Sequence, residues 1–278
     1  MKTNQPTMSQ FLFGLLLVFL FSHLVQAETI NCTAITSLPY TITTQGIYCL
    51  TSDLSTGMTS GNAIEIATNN VVIDLNGHKL GGQSAGASTQ AIGINAFGQQ
   101  NITIRNGTVR GFFTGISLWG GEGHLIEGIR ADMNTSTGIN VIGLGNIIRN
   151  NQVVSTGGAT DNVYGILARG SGARVLNNDV IETRAQSGHF ALGIEVYNGD
   201  GAVVEKNRVG NSSLGPGISY GIIVYPPYTN ALVSDDCVTI MDHGVAYYGS
   251  PSTGKYRNNL TSGVTFPYEG GTDAGGNN

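Results

Sequence analysis

Apolar and small residues return along this chain in one short figure: Gly or Ala, then Ile or Val, then a variable residue, then an apolar or small one. It occurs as Ala63-Ile64-Glu65-Ile66, Gly93-Ile94-Asn95-Ala96, Gly115-Ile116-Ser117-Leu118 and Gly138-Ile139-Asn140-Val141. It returns as Gly165-Ile166-Leu167-Ala168, Gly193-Ile194-Glu195-Val196, Gly221-Ile222-Ile223-Val224 and Gly244-Val245-Ala246-Tyr247. Successive copies start 22 to 30 residues apart. After each copy come a turn and a second apolar pattern, such as Asn146-Ile147-Ile148-Arg149 or Ala202-Val203-Val204-Glu205. A third short element carries Val109, Val153, Val180, Val209 and Val238.

Alternation with period two puts successive side chains on opposite faces of a strand. Strand, turn, strand, turn, short strand and loop, repeated at this period, predict one coil of a parallel β-helix. No coil can bury its own apolar face, so the coils must stack into one continuous core. The fold class predicted is all-β, a single-stranded right-handed parallel β-helix with an N-terminal cap. Asn151, Asn178, Asn207, Asp236 and Asn259 recur between the strands. Asn and Asp tolerate left-handed backbone and bond to nearby backbone groups, so a structural turn ladder is expected there. The sequons at Asn101, Asn106, Asn134, Asn211 and Asn259 reflect the same turn chemistry.

The stretches Asn70-Val71-Val72-Ile73-Asp74-Leu75-Asn76-Gly77-His78 and Asn101-Ile102-Thr103-Ile104-Arg105-Asn106-Gly107-Thr108-Val109 resemble the first coils of the pectin-lyase-like superfamily of right-handed β-helices. Within it the chain is similar to the carbohydrate-binding and sugar-hydrolase repeats, including NosD-type periplasmic proteins. The resemblance runs from about Ile47 to Gly263. It implies the fold and a polysaccharide partner, and it leaves the activity open, because lyases, hydrolases, epimerases and binding proteins share the architecture.

The N-terminus adds a compartment. Lys2 is the only charge before Glu28, an apolar run spans Phe11 to Phe21, and Val25-Gln26-Ala27 offers a small-x-small cleavage point. Residues 1–27 thus predict a signal peptide and a secreted or periplasmic protein. Residues 28–60 lack the tetrapeptide and are expected to cap the open end, 61–263 form the helix, and 264–278 form a Gly/Asn/Asp-rich tail expected to fray. Cys32 and Cys49 are expected to form a disulfide in an oxidising compartment, leaving Cys237 as a free thiol. Loss of Lys2 takes the net charge of −5 to about −6, and no basic cluster exists, which excludes nucleic acid as a partner. An acidic polymer would need a local Arg/Lys site or a bridging cation. No cofactor motif and no His/Cys cluster with metal spacing is present; calcium stays open as that cation.

On the tetrapeptide strand the second and fourth residues should face in, the third and fifth out. The fifth column is Ala67, Phe97, Trp119, Ile142, Arg169, Tyr197, Tyr225 and Tyr248. Its aromatic residues predict either cross-coil packing or a platform for sugar rings. Longer loops near 157–164, 184–192 and 211–220 flank the coils of Arg169, Glu195, Tyr197 and Tyr225, and insertions in a repeat protein often wall a binding face. His189 lies in one loop, and Tyr220 and His243 each precede a tetrapeptide Gly. Arg169, Glu195 and His189 are the candidate catalytic set. Trp119, Tyr197, Tyr220, Tyr225, Tyr248 and His243 are the candidate substrate-binding set.

The catalytic motifs of polygalacturonases, pectate lyases and alginate epimerases are not recognisable. Asn198-Gly199-Asp200, Ser234-Asp235-Asp236 and Asp242-His243-Gly244 only echo the first of these, out of register. The expectation is a glycan-binding β-helix using the outward aromatic column. The alternative is a lyase or related enzyme acting on an acidic polysaccharide, with an arginine, a carboxylate, a tyrosine and a histidine supplying acid–base groups.

Overall fold

The computed structural model describes residues 31–226, 230–249 and 253–278. The expected signal peptide lies outside the described residues. Within them, no helix is long and apolar enough to cross a membrane.

The chain winds as a parallel β-solenoid. Ten tetrapeptide-type strands, among them Thr114–Glu122, Thr137–Leu144, Val163–Arg169, Phe190–Tyr197, Ile218–Tyr225, His243–Tyr247 and Phe266–Glu269, form one parallel sheet. Among the described residues eighteen strands, most of them two to five residues long, form the other, bent sheet. Register is kept from coil to coil: Ile94, Ile116, Ile139, Ile166, Ile194 and Ile222 are successive partners, and all six are fully buried. A buried Ile of this kind stabilises a fold by about 2 kcal/mol relative to leaving it in water, so the inward stack is the main source of stability.

The glycine that opens seven of the eight tetrapeptides has a physical cause. A Cβ on Gly165 would lie 2.4 Å from Val180 Cγ1, and one on Gly193 would lie 2.3 Å from Val209 Cγ1. Both valines belong to the third strand of the same coil. The glycine therefore turns inward at a point where the core has no room for a side chain, and the residue before it turns out.

The turn ladder forms as expected. The Asn151 backbone N–H donates to Asn178 Oδ1, that of Asn178 to Asn207 Oδ1, that of Asn207 to Asp236 Oδ1 and that of Asp236 to Asn259 Oδ1, at 2.7–3.0 Å. These buried side chains satisfy backbone groups that no strand partner reaches. The left-handed backbone sits one residue earlier than expected, at Asn150, Asn177, Lys206, Asp235 and Asn258.

Both ends are built from strands. Residues 33–55 contribute strands of their own: Tyr40–Ile42 pairs with Asn62–Ile66, and Gly46–Leu50 with Val71–Asp74. The Cys32–Cys49 disulfide forms within this segment, and Cys237 is free and half-buried. At the other end, 264–278 does not fray. Phe266–Glu269 pairs with His243–Tyr247, and Asn277 Oδ1 extends the ladder by accepting from the Asn259 backbone. Gly270 and Gly271 sit at φ 61 and 64, where a Cβ would meet Tyr247 at 2.3 and 2.7 Å. Glycine here lets the chain close over Tyr247, so the composition that suggests disorder instead serves close approach.

Candidate functional site

Because the tetrapeptide Gly turns inward, each strand of the ten-stranded sheet presents three outward residues. The rows run across the coils in register. The first is Thr114, Thr137, Tyr164, Leu192, Tyr220, His243 and Phe266. The second is Ser117, Asn140, Leu167, Glu195, Ile223, Ala246 and Glu269. The third continues from Phe97 and Trp119 through Ile142, Arg169 and Tyr197 to Tyr225; Tyr248 follows, its ring 5.5 Å from that of Tyr225.

In the N-terminal half of this face the second row is polar, beside exposed Phe97 and Trp119 in the third. Asn62 and Asn95 both donate to Glu65 Oε2, at 2.6 and 2.9 Å. The C-terminal half is aromatic and apolar. Leu192, Ile223 and Ala246 form a buried strip, with Tyr164, Tyr220 and Tyr225 packed over it. The expectation that the third tetrapeptide position is solvent-facing therefore fails here: it points outward but is covered by neighbouring rings. Tyr197 and Tyr248 remain accessible at 40% and 57%. Trp119 is also exposed, but it stands between Phe97 and Ile142, separated from the tyrosines by Arg169.

Arg169 and Glu195 meet as adjacent coils require. Arg169 Nη2 donates to Glu195 Oε1 at 3.4 Å, and the guanidinium lies 5.3 Å from the Tyr197 ring centroid. Glu195 is only 4% exposed. Burial raises its pKa, opposed by Arg169. Burial, reinforced by Glu195, also pushes the Tyr225 phenol up to about 12 and raises that of Tyr164. These hydroxyls stay protonated donors at neutral pH. His189 does not join the set. It precedes the strand Phe190–Tyr197, and six residues of extended chain to Glu195 span roughly 20 Å.

A second cluster lies nearer the C-terminus. The His243 ring stacks between Tyr220 at 4.2 Å and Phe266 at 5.0 Å, and its Nδ1 is 2.5 Å from Glu269 Oε2. Tyr220, His243, Ala246, Tyr248 and Glu269 line a trough of about 360 Å3. Its walls are Tyr220 and His243 on one side and Tyr248 on the other; Ala246 is its floor. Phe266 and Glu269 join this cluster from the segment that composition alone reads as a frayed tail. Their signal was nonetheless present: each lies 23 residues after its partner, His243 or Ala246, matching the shortest coils.

The long loops wall one edge of the sheet. Val163, Ala185 and Ala191 pack together with Ala159, and Arg184 donates to Ser212 and Ser213. His124 is fully buried and accepts from the Ile102 backbone N–H, and burial lowers its pKa. Among the described residues no three His, Cys, Asp or Glu side chains converge on a point where they could hold a metal ion.

No curated protein matches the sequence. Among solved structures, an alginate lyase from Paenibacillus sp. str. FPU-7 aligns over 82% of this chain and 91% of its own, at 14% identity and a TM-score of 0.46. The A-module of the mannuronan C-5 epimerase AlgE6 from Azotobacter vinelandii aligns over 89% and 90%, at 10% identity and a TM-score of 0.49. The Dettilon tailspike protein aligns over 89% of this chain and 59% of its own, at 14% identity and a TM-score of 0.48. Residues 45–261 match the family described as the right-handed beta helix region. That span holds most of the stacked coils, and this chain belongs to the right-handed β-helix family.

Proposed function

We propose that this protein is exported and binds polysaccharide along the aromatic half of its ten-stranded sheet. The observation that carries this reading is the pair of aromatic tracks, Tyr197–Tyr225–Tyr248 and Tyr220–His243–Phe266, flanking a trough on consecutive coils. Sugar rings have apolar C–H faces and hydroxyl edges. Parallel walls of rings with protonated phenols offer both kinds of contact. The Cys32–Cys49 disulfide supports an oxidising destination.

Tyr197→Ala and Tyr248→Ala test this reading. Each should weaken retention on a bound glycan by about fivefold to tenfold, in line with roughly 1 kcal/mol per aromatic contact, while the melting temperature stays within a degree or two. Unchanged retention in both variants would make the face a packing surface only.

The lyase alternative keeps one supporting observation. Glu269 orients His243 beside Tyr220, an arrangement that can take and return protons. The set first expected for it, Arg169, Glu195 and His189, is not assembled, since Glu195 is covered and His189 is remote.

A further inference from the structure

We infer that the occupant of the trough is a neutral polysaccharide and not a uronic acid polymer; this rests on the glycan reading above and sharpens it. Across the three outward rows the fixed charges are Glu65, Glu195 and Glu269 against one cation, Arg169. That guanidinium is already engaged. It donates to Glu195 and lies over Tyr197, so a carboxylate arriving from solvent would have to displace an internal one. The His243 imidazole is held by Glu269. The chain as a whole carries −5, so its longer-range field also repels an acidic polymer.

The chemistry of the trough favours hydroxyl donors. An ionised carboxylate accepts hydrogen bonds and cannot donate them. Glu269, with its side chain 41% exposed at the trough, is therefore suited to sugar hydroxyls and unsuited to a second carboxylate. The floor beneath is Ala246 beside Ile223, with no donor to replace the water that a uronate would lose. Other cationic side chains are already engaged: Arg184 of the edge loop with Glu182, and on the opposite sheet Arg105, Arg149 and Arg208 with Asp74, Glu127 and Asp179.

Affinity electrophoresis of the exported chain tests this. Gels would contain a soluble β-glucan, a galactomannan, alginate or polygalacturonate, each at low and high salt. Mobility should fall at least twofold in a neutral-glycan gel, independently of salt, and stay unchanged in both uronate gels. Glu269→Gln should reduce the neutral retention severalfold without creating retention on uronate. Salt-sensitive retention on alginate or polygalacturonate would overturn the inference and leave the glycan reading standing. Retention in none of the gels would remove that reading as well. Sedimentation supplies the last outcome: a dimer abolished by Tyr248→Ala would assign the face to a second copy of the chain, overturning both.

Discussion

The two sheets are built from the same coils and the same inward stack, yet their outer faces differ. On the eighteen-stranded sheet three outward arginines are paired across neighbouring coils: Arg105 with Asp74 at 2.9 Å, Arg149 with Glu127 at 2.7 Å and Arg208 with Asp179 at 2.7 Å. The Arg208–Asp179 pair is exposed on both sides and adds little stability, about 0–1 kcal/mol; Asp74 is buried beneath Arg105. On the ten-stranded sheet, the coils from Val163 onward present tyrosine, histidine and phenylalanine instead. Solubility does not call for that choice, and the inward stack does not require it. Where one repeat solves its surface problem twice in different ways, the less soluble solution is the face we propose for glycan contact.

Three changes would break or sharpen this contrast, in decreasing order of effect. The inward stack is common to both sheets, so damage there should abolish both faces together. Gly165→Val would drive a branched side chain into Val180, already 2.4 Å from the position of a first carbon. A loss on the order of 3 kcal/mol or more is expected, seen as a large drop in denaturation midpoint. A variant as stable as the parent would show that the glycine is not dictated by the core.

The ladder turn divides the bent sheet, and Asp236 is its one acid among asparagines. In the ladder, Asn178 and Asn207 each use Nδ2 to donate to a backbone carbonyl, that of Ile148 or Val175. The same register puts Asp236 Oδ2 opposite the Val204 carbonyl, and this oxygen is buried without a partner. A protonated acid can donate there; a carboxylate cannot. Burial accordingly pushes the pKa up to about 7 from 3.8. A pKa raised on folding makes the folded state the better proton binder. This contribution is complete below pH 4, falls as pH rises, and is gone above about pH 7. At about 1.4 kcal/mol per pKa unit it amounts to a few kcal/mol. Asp236→Asn should remove it, so the variant's stability advantage should grow between pH 4 and 8 in urea melts. A constant difference across that range would mean that the acid is ionised in the fold throughout.

The smallest effect belongs to the paired charges. Arg208→Gln should cost under about 1 kcal/mol and leave glycan retention untouched, whereas Tyr248→Ala should do the reverse. A glycan defect in Arg208→Gln would transfer the contact surface to the other sheet.

Much of this was legible in the chain. Period-two alternation and a recurring Gly-Ile figure determine a stacked solenoid, because side-chain direction in a strand follows from residue parity alone. The same parity places Arg169 beside Glu195 and Tyr197 beside Tyr225, since adjacent coils bring equal positions together. Cys32 and Cys49 pair because they share the first segment, and Asn151, Asn178, Asn207 and Asn259 form a ladder because only a short polar side chain can satisfy those turn groups. What parity could not supply is depth. Glu195 points outward as its position requires, yet Arg169 and the neighbouring tyrosine rings lean over it. Only the packed structure decides how far long side chains cover their neighbours. Composition likewise misjudged the tail. Gly270 and Gly271 are ambiguous as letters, equally at home in a frayed end and in a tight approach to Tyr247. The close contact with that ring decides between them, and in doing so brings Phe266 and Glu269 onto the face where His243 already stood.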